Sequence, residues 1–106
     1  MKLAAVRTVA MSLPEVTEEP HHNFGSFRVR GKIFITMPPD EEHIHVFVPE
    51  QERDQALAMY PSFTEKLLWG SKVVGIRVSL SHATGSVVKL LVLQAWRHKA
   101  PRSLSG

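Results

Sequence analysis

Apolar positions along this chain change period several times, and each change marks an element. Leu3, Val6, Ala10 and Leu13 recur at helical spacing, so residues 2–13 read as an amphipathic helix. Leu13-Pro14 marks its end, because the residue before a proline is pushed out of the helical region. The acid-rich residues 15–20 read as a connector. From Phe27 the period becomes two: Phe27 and Val29 alternate with Arg28 and Arg30, as in a half-buried strand. A turn at Arg30-Gly31 folds the chain back, and Gly31 can take a positive φ there without steric penalty. The pattern therefore predicts a hairpin over 26–30 and 32–37. Its apolar face lies on a core, and Arg28, Arg30 and Lys32 are carried towards solvent.

Met37-Pro38-Pro39-Asp40-Glu41-Glu42 is a turn built of breakers. Ile44, Val46 and Val48 then alternate with His43, His45 and Phe47, giving a third strand. Pro49 suits the start of a second helix, and Glu50 and Glu52 complement its positive end. Ala56, Leu57 and Tyr60 form its buried stripe, and Tyr60-Pro61 stops it. Residues 62–68 read as a short edge strand. Val73 to Leu80 is rich in β-branched residues and reads as a central strand. Thr84 stands where it can cap a last helix running to about Lys99, with Pro101 beyond it. Trp69 and Trp96 read as core anchors. The order implies an α+β fold: an antiparallel sheet of about five strands with three helices packed on one face. One domain over 1–101 is expected, followed by a mobile tail, 102–106.

Composition narrows the function classes. At 106 residues the chain is long enough for one domain and too short for two. It has no cysteine, which excludes disulfides, thiolate metal sites and cysteine nucleophiles and fits a cytoplasmic setting. No run reaches the ~20 apolar residues of a membrane span, and Arg7 interrupts the short apolar stretch at the start that resembles a leader. A formal net charge of +3 is mild, but its distribution is uneven. Residues 24–39 carry Arg28, Arg30 and Lys32 with no acid. Asp40, Glu41, Glu42, Glu50, Glu52 and Asp54 follow against Arg53 alone. From residue 60 onward the bases dominate, with Glu65 the single acid. A molecule with a basic hairpin and C-terminal half set against an acidic middle is expected.

Four stretches stand out in order: Leu13-Pro14-Glu15-Val16-Thr17-Glu18-Glu19, Phe27-Arg28-Val29-Arg30-Gly31-Lys32-Ile33-Phe34, Pro49-Glu50-Gln51-Glu52-Arg53 and Ala95-Trp96-Arg97-His98-Lys99-Ala100-Pro101. Together they resemble the MmcQ/YjbR family over nearly the whole chain. The resemblance implies a small α+β domain with helices on one face of its sheet, similar in shape to frataxin-like domains. It also implies a DNA-binding label taken from a likeness to a double-wing fold, with no established activity. Fold alone does not carry function. Family members usually carry charges on the outer side of the last helix, where this chain has Val87, Leu90 and Leu93. That stripe makes the helix apolar over most of its girth, so it is expected to be covered on both sides. Either a deeper core or a homodimer or partner interface at Val87, Leu90 and Leu93 would cover it.

The leading binding candidates are Arg28, Arg30 and Lys32, with Lys72 and Arg77 on another strand extending the patch. Clustered cations of this kind suit phosphate contacts and weak, salt-dependent DNA binding. Read without a ligand, the same residues are a solvated sheet face with arginine stems lying on apolar surface. His43 and His45 share a strand face and could chelate a metal ion only if His21 or His22 came near. Surface imidazoles beside Asp40-Glu41-Glu42 are the expected reading. No nucleophile elbow or glycine-rich phosphate loop is present, so no enzyme and no cofactor are expected.

Overall fold

A computed structural model describes residues 1–105. The fold is α+β. Helix α1 (Leu3–Met11) is followed by strands β1 (Val16–His21), β2 (Phe24–Val29), β3 (Lys32–Met37) and β4 (His43–Val46). Helix α2 (Glu50–Met59), strands β5 (Thr64–Trp69) and β6 (Lys72–Ser79), helix α3 (Gly85–Lys99) and a single turn α4 (Arg102–Ser105) complete it. The strands form one six-stranded antiparallel sheet in the order β1-β2-β3-β4-β6-β5. Among the described residues no helix is long and apolar enough to cross a membrane.

The sheet has one strand more than the pattern predicts, and the extra one is β1. Of the expected connector 15–20, all but Glu15 belong to a strand, Val16–His21. Val-Thr-Glu-Glu-Pro-His has no apolar alternation because both its faces are largely open to water. Pro20 cannot donate to a ladder, which an outer strand tolerates. The neighbours hold the strand. Ser26 donates its hydroxyl to the Glu19 carbonyl at 2.7 Å, and Arg28 donates to the Pro20 carbonyl at 3.1 Å. From the other side Arg7 of α1 forks onto Glu18 through two hydrogen bonds of 2.8 and 3.0 Å.

One face of the sheet carries the core. Phe27, Ile35, Val46 and Ile76 lie in one cross-strand row, all fully buried. Val29, Ile44 and Val78 extend it. Val88, Leu91, Val92 and Ala95 of α3 pack over the sheet centre, and Val6 and Ala10 of α1 join the same cluster. Helix α2 covers β5 and β6, and contributes Ala56 to the core. Thr84 occupies the N-cap of α3, as expected, but makes no side-chain cap bond. Of the expected mobile tail, Arg102–Ser105 forms one helical turn and Leu104 is half-buried against the core; Gly106 lies outside the described residues.

The register that aligns the apolar row also builds a polar one on the opposite face. Glu19, Ser26, Thr36, His45, Arg77 and Glu65 are successive cross-strand partners through all six strands. Ser26, Thr36 and His45 are buried there although no helix covers that face.

Candidate nucleic-acid interface

Strand direction decides where the cations go. β3 and β6 each run antiparallel to β4, so they start at the same end of the sheet. The turn before β3 and the turn before β6 therefore project from one end, two strands or roughly 10 Å apart. Both are two-residue hairpins, closed by the pairs Val29–Lys32 and Trp69–Lys72. Arg30 (φ 48°) and Gly31 (φ 81°) both have positive φ, which fits a type I′ turn; Gly70 (φ 64°) followed by Ser71 fits type II′. These turn types match the strand twist and hold the tips rigid. At Arg30 the left-handed conformation is held by a non-glycine residue, which is uncommon.

The C-terminus of α3 reaches the same end. Trp96 is buried and donates its indole N–H to the Pro14 carbonyl at 3.2 Å. Pro14 lies two residues before β1, whose first residue pairs with Val29 beside the first tip. The indole bond brings the C-terminal turn of α3, with Arg97 and Lys99, towards the first hairpin turn. Burial, followed by the nearby Lys99 charge, pulls the His98 imidazole below its ordinary pKa.

The sequence-predicted cations separate into two groups. Lys32 and Lys72 are exposed at the tip end and make no ion pair among the described residues. The three arginines are engaged within the protein. Arg30 is exposed and pairs with Glu15 at 2.9 Å; that bond raises the guanidinium pKa and lowers that of the carboxylate. Arg28 does not stand free in solvent as expected: it closes β1 through Pro20 and also donates to the Ser26 hydroxyl at 3.1 Å. Arg77 lies in the polar row, 3.2 Å from Glu65 and 3.6 Å from Asp40, and donates to His45 Nε2 at 2.9 Å.

That last bond fixes the state of His45. Arginine can only donate, so Nε2 accepts, and the proton sits on Nδ1, which faces Thr36 Oγ1 at 3.3 Å. The ring is neutral. Burial, then the neighbouring Arg77 charge, pushes its pKa down to about 4. His45 is thus a buried ladder residue rather than a surface imidazole. His43 donates to Asp40 at 2.8 Å, while Asp40 also accepts the Glu42 and His43 amide protons. The Glu42 bond is the largest of the causes that hold the Asp40 carboxyl below its ordinary range. Among the described residues no three acid or imidazole groups converge to hold a metal ion.

Two further features were not legible as sites. Trp69, expected in the core, is 82% exposed at the second tip beside exposed Leu68. In the apolar stripe of α3, Val87 is buried and Leu93 is half-buried against the core, while Leu90 is exposed. Leu90 lines a shallow groove with Met59 and Tyr60 of the α2 segment.

The YjbR family model matches residues 11–98, most of the chain. No curated protein and no solved structure matches it.

Proposed function

The chain belongs to the YjbR family, and on that footing we propose that it is a nucleic-acid-binding domain that meets the phosphate backbone with the turn end of its sheet. One observation carries the reading. Lys32 and Lys72 come from separate parts of the sequence, yet β3 and β6 both start at one end of the sheet, so the two exposed lysines share that end. Phosphate contacts need clustered cations that are not already neutralised, and Lys32 and Lys72 meet that requirement. The arginines of the first hairpin contribute less than the sequence pattern suggests, because Glu15 and the β1 carbonyls hold Arg30 and Arg28.

Fluorescence anisotropy with short labelled DNA at low and moderate salt tests this. Binding should be weak, salt-sensitive and lowered at least tenfold by a Lys32→Glu, Lys72→Glu double variant. No binding at low salt would end the proposal. A second reading, association through the α2–α3 groove, rests on Leu90 and Met59 lying exposed side by side. It predicts a concentration-dependent mass and no response to DNA.

A further inference from the structure

Trp69 is the most exposed large apolar side chain among the described residues, at 82%, whereas Trp96 is buried and hydrogen-bonded. Exposure of this degree on a tight hairpin contributes almost nothing to the fold. Glycine in the left-handed region at Gly70 makes the turn short and stiff, so the indole is held out on a rigid support. Its cross-strand partner is Lys72, which puts a cation next to the ring. Between Lys66 and Gly106 the sequence has no acid. Lys32 of the other tip stands two strands away on the same end of the sheet.

We propose that Trp69 is a stacking platform for an unpaired base, so that the domain prefers single-stranded over duplex nucleic acid. The inference rests on the nucleic-acid reading above and assigns it a substrate class. A paired base hides its faces in the duplex stack, while a single strand offers one to any aromatic ring. Lys72 then holds the phosphate beside the stacked base, and Lys32 holds one farther along the strand. The few free cations favour the same choice. They give a duplex too little electrostatic attraction, and stacking supplies the remainder only for a single strand.

The test uses the full chain, an oligothymidylate of about 12 nucleotides and a duplex of equal length at about 50 mM salt. The single strand should quench tryptophan emission and bind more tightly than the duplex. Trp69→Ala should weaken single-strand binding roughly tenfold, remove the quenching and leave the circular dichroism unchanged. Trp69→Phe should retain most of the affinity without the quenching. Equal binding of both probes, with Trp69→Ala altering neither, overturns the stacking role and leaves the tip-cation reading intact. Loss of binding to both probes in the wild type removes both. An emission shift with anionic lipid vesicles and none with the oligonucleotide also overturns it.

Discussion

A methyl group added at Gly75 would sit 2.4 Å from the carbonyl oxygen of Val46 and 3.4 Å from the Phe47 ring. The obstacle is backbone, where β4 leaves its pairing with β6, and it cannot rotate away. Gly75→Ala is therefore expected to destabilise by about 2 kcal/mol, opposite to the usual gain when a strand glycine is filled. Urea denaturation at unchanged m-value checks it. His45 sets the second expectation. Its folded pKa of about 4 lies below the ordinary histidine value of 6.5, so the unfolded chain binds the proton first. The stability this contributes is complete above pH 6.5 and is lost as pH falls towards 4. His98, also lowered, adds in the same direction. The stability from Asp40, whose carboxyl is also lowered, is present above the ordinary aspartate range and is lost only below it, outside this window. The melting temperature should fall several degrees from pH 7 to pH 4.5, and His45→Gln should flatten that slope. A wild-type slope that survives in His45→Gln would show that the ring is not the titrating group. Neither Gly75 nor His45 is legible as special in sequence. One depends on how closely a neighbouring strand passes, the other on a row assembled from six separate strands.

Elements that carry their own periodicity were readable. The β2–β3 hairpin, β6 at the sheet interior, β5 at its edge and the last helix all declare themselves through spacing and punctuation. Strand β1 does not, because its hydrogen bonds to β2 and the Arg28 and Ser26 clips supply what its side chains lack. The second hairpin misled for a related reason: Trp69 reads as a core anchor, but the ribbon reaches its exposed tip at Leu68 and Trp69. Helix α3 shows where composition overstates an interface. Val87 and Leu93 meet the core and only Leu90 faces solvent, so the apolar girth is mostly internal packing. Leu90→Glu should leave the melting temperature within about 1 kcal/mol of wild type in stability terms. Light scattering decides the rest. An unchanged mass from a wild type that is already a monomer removes the interface, while dissociation of a wild-type dimer establishes it.

Across the whole molecule acids lie at both ends of the strands: Glu15 pairs with Arg30 beside the first turn, and the start of α2, with Glu50, Glu52 and Asp54, follows β4 to the turn end, where Arg53 donates to the Val73 carbonyl. Asp40, Glu41 and Glu42 lie where β3 passes to β4, at the end opposite the hairpin turns, and Lys2 lines a cleft with Glu41 and Glu42 there. Lys32 and Lys72 lie at the other end. What an approaching polyanion meets therefore depends on where the exposed lysines stand and not only on a net charge of +3. This yields a prediction that net charge alone cannot make. Lys2→Glu and Lys72→Glu change the formal charge equally, yet only the second removes a cation from the tip end. If three to five phosphates are neutralised there, log K against log salt for a single strand should fall with a slope of about −2 to −4. Lys72→Glu should shallow that slope by about 0.7 and weaken binding at every salt concentration. Lys2→Glu should shift the curve slightly and leave its slope unchanged. Equal effects from the two would mean that binding follows overall charge rather than the placement of cations by strand direction, and the interface would lose its location.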